Sequence, residues 1–361
     1  MHHVVVVPLG KYRFSPIKYR MQKVIVTGGC GYIGSHTVVD LIKNGFDVIS
    51  IDNLSRSNQN IQAYIEKITS KPFINYKVNL CDKVALDKVF SEHPNTIGVI
   101  HFAAYKSVPE SVDNPLLYYR NNLDGLCNLL DCMSAFAVKH LIFSSSCSVY
   151  GNTDRLPVLE ETPMLTAESP YAATKQMGER IISDFTSSQK DFNSILLRYF
   201  NPAGAHITGQ LGEFPNNAVK NLVPILMDTV KGKRDHLIVH GSDYPTRDGT
   251  CIRDYIHIMD LADAHTKSLH YLISNQNNSS LEVFNVGIGK GVTVLEAIRA
   301  TEKATGIPVK FILGPRRKGD VQAIYADYSK AKNAIGWTPQ FSIDDIMASA
   351  WKWENFREEK A

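Results

Sequence analysis

Tyr171 and Lys175 stand four residues apart, so on a helix they share a face. A phenol beside an ammonium is the raw material of a base. A free tyrosine titrates near ~10, and a neighbouring cation favours the phenolate and draws the value toward working pH. Upstream lies Ser144-Ser145-Ser146-Cys147-Ser148-Val149-Tyr150-Gly151, which ends an apolar stretch, Val138 to Phe143. That order places the serines at the carboxyl end of a strand, where open α/β sheets hold ligands. Ser146 is then expected to hydrogen-bond a substrate hydroxyl beside Tyr171, and a helix over 171–188 to carry the chemistry. Tyr-x-x-x-Lys also arises by chance on exposed helices, so its meaning depends on what positions it.

The run Lys23-Val-Ile-Val-Thr27 reads as a buried strand, and Gly28-Gly-Cys-Gly31-Tyr32-Ile33-Gly34 follows it. These glycines open an apolar-periodic helix over 33–42, leaving backbone amides at its amino end free to face a pyrophosphate. A second strand, Val48 to Ile51, ends in Asp52-Asn53. An acid there accepts from the adenosine ribose hydroxyls and repels a 2′-phosphate, so the cofactor is expected to be NAD rather than NADP. The βα rhythm continues with a helix over 60–69 and a strand over 74–78, whose end, Asn79-Leu80, falls near the adenine. A strand over 97–102 runs through Phe102 into Ala103-Ala104-Tyr105-Lys106, small residues that let backbone lie against a flat cofactor, with Lys106 in reach of a phosphate or hydroxyl.

A long helix over 116–137 follows, with Asn121 and Asn122 inside its apolar periodicity; one of them is expected to tie the helix to a neighbouring loop. A strand over 194–199 leads into Phe200-Asn201-Pro202-Ala203-Gly204, after which the alternation breaks up and loops lengthen at 209–217, 241–250 and 275–280. The sequence therefore predicts a Rossmann-type, doubly wound parallel sheet with a smaller C-terminal α/β substrate-binding lobe. Its expected division is 21–200 for the nucleotide-binding domain and 201–361 for the lobe, with segments near 240–270 and 317–337 returning to the first.

The 361 residues are 44% hydrophobic and 21% charged with a formal charge of +3, scattered rather than striped. No nucleic-acid or membrane partner is expected from that distribution. Six cysteines and twelve histidines show no CxxC, HxxxH or HExxH spacing, so no metal is expected, and free thiols fit a cytoplasmic protein. Val4 to Val7 is too short to span a membrane, and the basic segment 11–20 follows it, the reverse of a secretory signal. Residues 1–20 are expected to lie outside the fold, with Met21 as the natural start.

From residue 21 onward the chain resembles the extended short-chain dehydrogenase/reductase family, and within it the UDP-hexose 4-epimerases. The resemblance rests on Thr27-Gly-Gly-Cys-Gly-Tyr-Ile-Gly-Ser-His36, Asp52-Asn-Leu, His101-Phe-Ala-Ala-Tyr-Lys106, the Ser144–Gly151 run and Ser169-Pro-Tyr-Ala-Ala-Thr-Lys175. Arg198-Tyr-Phe-Asn-Pro-Ala-Gly204, Asp243-Tyr-Pro-Thr-Arg-Asp-Gly-Thr250, Arg253-Asp-Tyr-Ile-His257 and Gly314-Pro-Arg-Arg-Lys-Gly-Asp320 point to the epimerases in particular. The resemblance implies an NAD-dependent reaction with no net redox change, in which Tyr171 takes the proton of the sugar 4-hydroxyl and a 4-keto sugar turns over before reduction on its other face. It places Phe102, Ala103, Ala104, Asn121, Ser144 and Tyr199 at the cofactor, with Lys106, Ser146 and Tyr199 lining the sugar pocket. Asn201, Asn221, Leu222, Arg253, Arg317 and Asp320 fall on the UDP portion, the arginines as pyrophosphate partners.

Two departures stand out. Asn79 occupies a place where the family often has aspartate, and Ile324 is intermediate between a bulky tyrosine that restricts the pocket and small residues that admit N-acetyl sugars. Nucleotide-sugar 4,6-dehydratases share the first half but carry an Asp-Glu pair where this chain has Cys147-Ser148. Epimerases of UDP-N-acetylhexosamines, UDP-glucuronate or UDP-pentoses are the nearer alternatives, and a non-catalytic NAD-binding protein is the alternative from another class. Family resemblance also implies a homodimer through helices 116–137 and 171–188.

Overall fold

A computed structural model describes residues 22–214, 221–317 and 321–359. The residue 1–20 extension, Met21, the end of the 209–217 loop and Asp320 lie outside the described residues. In chain order the first unit runs β1 (Lys23–Thr27), α1 (Tyr32–Lys43), β2 (Asp47–Ile51), α2 (Ile61–Thr69), β3 (Ile74–Tyr76), α3 (Lys83–Glu92) and β4 (Thr96–His101). It continues with α4 (Val108–Asp113), α5 (Pro115–Tyr119), α6 (Gly125–Ala135), β5 (His140–Ser144), α7 (Pro170–Ser188) and β6 (Asn193–Tyr199). Then come β7 (Asn201–Ala203), α8 (Leu222–Val230), β8 (Leu237–His240), β9 (Ile252–Arg253), β10 (Tyr255–His257), α9 (Ile258–Ile273) and β11 (Leu281–Val286). The chain closes with β12 (Val292–Thr293), α10 (Val294–Thr305), β13 (Phe311–Gly314), β14 (Ala323–Ile324), α11 (Ser329–Ile335) and α12 (Ile343–Glu359).

Seven strands form one parallel sheet in the order β11-β6-β5-β4-β1-β2-β3. Alternate residues of each strand enter opposite layers, which is why the strands read as unbroken apolar runs. Val24 and Val26 pack with α1, α2 and α9 on one face, while Ile25 packs with α3, α6 and α7 on the other. The register levels the strand ends: Thr27 lies opposite Ile51 and His101, His101 opposite Phe143, and Ser144 opposite Leu197. One edge of the sheet therefore gathers Gly28, Asp52, Phe102, Ser145 and Phe200. A separate core of α8, α10 and α12 with β8 and β10 supports the lobe beside that edge.

Two expectations need correction. The helix expected over 116–137 is broken into α5, a wider π-helical turn at Arg120–Asp124, and α6, and α4 precedes it. Asn114 precedes Pro115, and the proline ring disfavours helical backbone at the residue before it, so α4 ends there. The sheet also does not end at 194–199, because β11 pairs along the whole of β6 from Leu281↔Ser194 to Val286↔Tyr199. The chain leaves the sheet after β6 to build the lobe, and α9 returns it against α1, so this strand stands apart from the rhythm that revealed the others.

Candidate active site

Ser169 starts α7: its hydroxyl accepts from Ala172 N at 3.2 Å, and Pro170 fills the first turn, where its missing N–H costs nothing. That cap sets the helix phase, so Tyr171 and Lys175 both face the carboxyl edge of the sheet. Lys175 is buried. Its Nζ donates to the Ser144 carbonyl at 2.6 Å and lies 4.8 Å from the Phe143 ring centroid, a cation held over an aromatic face. Burial lowers its pKa to about 8, while the Glu179 charge pulls the other way. His101, at the end of β4, is held down to about 3 by burial and by the Lys175 charge, so it stays neutral beside the lysine.

Tyr171 departs from expectation. As a residue it is partly exposed, but its hydroxyl end is enclosed near Ser146, Tyr199, Cys147 and Tyr118. Burial pushes its pKa up, the Tyr199 phenol adds to that, and a hydrogen bond with Ser146 only partly offsets them. The expected lowering by Lys175 is not what this arrangement gives: burial outweighs the Ser146 hydrogen bond, and the Lys175 ammonium donates to the Ser144 carbonyl. Ser146, extended at φ −159°, opens the short 3-10 turn Cys147–Tyr150 and accepts from Ser148 N at 3.2 Å and Ser148 Oγ at 3.0 Å. Ser144 and Tyr199 bond each other at 2.6 Å, so both hydroxyls belong to the wall behind the pair.

The β1–α1 turn is a backbone cradle. Gly28 has φ +72°, and a Cβ there would stand 2.8 Å from Ala103 N; a Cβ on Gly34 would stand 2.1 Å from the Gly28 carbonyl. Side chains are therefore excluded where the first turn of α1 crosses β4, and Gly31 at the N-cap leaves the amides of that turn open. The Tyr32 hydroxyl donates to the Gly204 carbonyl at 2.7 Å, tying this turn to the lobe, and Ile33 packs against the adjoining core. Asp52 accepts from Cys30 N at 3.1 Å, Leu54 N at 2.8 Å and Ser57 Oγ at 3.0 Å, with burial raising its pKa against those bonds. Its carboxylate borders the glycine turn through the Cys30 amide. Asn53 and Asn79 each accept from the backbone two residues on, Ser55 N at 3.0 Å and Cys81 N at 3.1 Å, while Leu80 is buried.

Phe102, Ala103 and Ala104 are all partly buried at the end of β4, and the Phe102 ring lies 4.6 Å from that of His265. The asparagine tie is Asn122, whose side chain accepts from Tyr105 N at 2.8 Å and donates to the Tyr105 carbonyl and to Thr174 Oγ1, both at 3.1 Å. Asn121 donates to Asn122 Oδ1 at 3.0 Å from the π-helical turn, a distortion that recurs at functional sites.

On the lobe side, Lys106 pairs with Glu213 at 3.1 Å, and Asn221 donates to the same carboxylate at 3.4 Å. Asn221 occupies the N-cap of α8 without capping it, and Leu222 begins that helix against the lobe core. Glu213 carries no motif signal; only tertiary contact reveals it. Asn201 lies on β7, level with Tyr255 of β10. Arg253, on β9, donates to the carbonyls of Ile252 and Val321 at 2.8 Å each. Arg317 is exposed just after β13. Ile324, 7% exposed on β14, packs with Val149, Tyr150 and Phe200 beneath the serine turn. Burial pushes the Cys147 thiol up to about 12, so Cys147-Ser148 offers a neutral thiol and a hydroxyl and no carboxylate.

The GDP-mannose 4,6 dehydratase family matches residues 25–350. The UDP-glucose 4-epimerase of Schizosaccharomyces pombe is 46% identical over 335 residues, 92% of this chain and 93% of that one. Among solved structures, UDP-glucose 4-epimerase from Bifidobacterium longum in complex with NAD+ and UDP is 41% identical with a TM-score of 0.88, covering 94% of this chain and all of that one, 100%. The enzyme from Stenotrophomonas maltophila, with bound NAD and formylated UDP-arabinopyranose, is 38% identical with a TM-score of 0.91, covering 94% of this chain and 100% of that one.

Proposed function

Because the chain belongs to the UDP-glucose 4-epimerases of the extended short-chain dehydrogenase/reductase family, we infer that it is an isomerase interconverting UDP-glucose and UDP-galactose with NAD as its cofactor. The observation that carries this reading is the Ser146–Tyr171–Lys175 group at the sheet edge beside a glycine cradle that side chains would fill. The name of the matching family covers dehydratases, but Cys147-Ser148 offers no carboxylate for the proton transfers of water loss. When bound, NAD would accept the hydride from sugar C4 and give it back, and its oxidised form would add positive charge to the site.

Gly28, Gly31, Tyr32, Ile33 and Gly34 would hold its pyrophosphate, Asp52 and Asn53 its adenosine ribose, Asn79 and Leu80 the adenine edge, and Phe102 to Ala104 its flat side. Tyr171 removes the proton of the 4-hydroxyl and returns it after the keto sugar has presented its other face. Ser146 holds that oxygen, and Lys175 keeps positive charge close to the developing phenolate. Arg253, Arg317, Asn201 and Asn221, with Asp320 outside the described residues, would grip the nucleotide and leave the sugar loose, since tight sugar contacts would favour one face. Residues 21–200 with the returning α9, β11 and α11 would form the cofactor unit, and the rest the UDP lobe.

The test incubates purified protein without added cofactor with UDP-galactose and follows the 4-epimer by chromatography. Conversion is expected; no conversion even with NAD+ added would sink the assignment. UDP-N-acetylgalactosamine run in parallel reads whether Ile324 leaves room for an N-acetyl group. The apolar side chains of Val112, Leu116, Leu117 and Met177, exposed on α4, α5 and α7, support a homodimer through these helices. Sedimentation should give twice the chain mass, and a monomer at micromolar concentration would contradict it.

A further inference from the structure

One turn beyond Lys175 on α7 stands Glu179, only 3% exposed. Residues 171, 175 and 179 thus line a single helix face. The Glu179 carboxylate takes three donors: Arg198 Nε at 2.9 Å and Ser145 Oγ at 2.5 Å on one oxygen, and Arg198 Nη2 at 2.6 Å on the other. Arg198 Nη1 goes on to the Tyr150 hydroxyl at 3.1 Å and the Glu160 carbonyl at 3.2 Å, and Tyr150 closes the turn that Ser146 opens. A single carboxylate therefore joins α7, β5, β6 and the 147–150 turn, the pieces that carry Tyr171, Lys175, Ser146 and Tyr199.

We propose that Glu179 is a positioning residue of the epimerisation: fixed by Arg198 and Ser145, its charge keeps Lys175 an ammonium, and its bond to Ser145 holds Ser146 in register with Tyr171. The proposal rests on the reading of Tyr171 and Lys175 as the proton-transfer pair. Around that pair, His101 on β4 is neutral, Tyr199 on β6 and Tyr118 on α5 are phenols that burial makes weaker acids, and β5 offers Phe143 and the Ser144 carbonyl. Glu179 is the carboxylate acting on Lys175, and burial has already brought the lysine to about 8, where a modest change of field decides its charge. A buried ion pair can also be purely structural, so the two roles must be separated.

They separate by sign. Glu179→Gln removes the anion and leaves Arg198 positive, so Lys175 should lose its proton at lower pH. Arg198→Gln leaves the anion unshared, so Lys175 should keep its proton to higher pH. The experiment measures kcat/KM for UDP-galactose on NAD-loaded holoenzyme from about pH 6 to pH 10, with thermal melts to show that each variant is folded. Relative to its own value near pH 6.5, Glu179→Gln should be about tenfold below wild type on the alkaline limb, a shift of about one unit. Arg198→Gln should shift that limb the other way, and Glu179→Asp, which keeps the charge, should restore it. Equal losses at every pH in both charge variants would overturn the proposal and leave a structural ion pair. If Glu179→Gln does not fold, an Arg198→Gln limb that stays in place or moves down overturns it equally. Wild-type turnover in the same series tests the parent reading separately, since a protein inactive on UDP-galactose fails before any variant is compared.

Discussion

On the proposed reading Tyr171 is the residue on which the reaction turns, and its surroundings set a problem that it must solve. Burial and the Tyr199 phenol make it a weaker acid than free tyrosine, and Ser146 alone does not reverse that. On that reading Lys175 is the protein's own source of the positive charge that would favour a phenolate, and the oxidised cofactor would add to it when bound. Tyr171→Phe is expected to lower kcat by about two to four orders of magnitude, as removal of a general base does, while the protein still retains NAD; released cofactor measured after denaturation checks the second half. The lysine also sets an upper pH limit. With its pKa near 8, the ammonium is lost as pH rises, so kcat/KM should decline on the alkaline side, and a flat profile to about pH 10 would contradict a role for its charge. The spacing of 171 and 175 was legible in the sequence because a helix has a fixed period. The hydrogen bond to the Ser144 carbonyl was not, because it joins residues brought together only when α7 packs on β5.

At the scale of elements, two short helix starts carry most of the precision. In α1, a Cβ on Gly34 would fall 2.1 Å from the Gly28 carbonyl, a backbone atom with nowhere to move. Gly34→Ala should therefore reopen the cofactor turn, and the purified protein should carry little NAD, measured by absorbance of the released nucleotide. In α7, Ser169→Ala removes the cap that fixes the phase of the Tyr171–Lys175 face. Its expected cost is about 1 kcal/mol of stability, read by denaturant unfolding, together with a fall in kcat. The glycine spacing announced the first of these turns. The broken helix between α4 and α6 was hidden, since Asn114-Pro115 signals a stop but nothing in sequence marks a π-helical turn, which Asn122 anchors from a distance through Tyr105 and Thr174.

At the scale of the molecule, five buried histidines among the described residues make stability sensitive to acid. Burial holds His36, His257 and His265 down to about 4, and His101 and His206 down to about 3. Their unfolded value is about 6.5, so as pH falls below it the unfolded chain binds protons that the folded chain refuses, and stability is lost through the window down to about pH 4. Asp254 and Asp260, raised by burial to about 6, act in the opposite sense, since their folded forms take up protons first as pH falls, and burial raises Asp40, Asp52 and Glu160 in the same direction. Burial also lowers His93 and His140, so the lowered histidines outnumber the raised carboxyls among the described residues, and the protein should unfold several degrees lower at about pH 5 than at about pH 7.5 in scanning calorimetry. An unchanged midpoint would mean that the carboxyls cancel the histidines.

What the sequence determined by itself is what local geometry fixes: the strand–glycine–helix–strand–acid order of a dinucleotide site, and the helical spacing of Tyr171 and Lys175. Those signals are short in range and depend on residue type, so they survive without a structure. Tertiary structure alone decided that β11 completes the sheet beside β6, that Glu213 meets Lys106 and Asn221, and that Arg198 reaches Glu179 and Tyr150. Each of these is a contact between segments far apart in the chain. No local periodicity encodes such a contact, because it exists only once the sheet has set its strand order and the helices have packed on its faces.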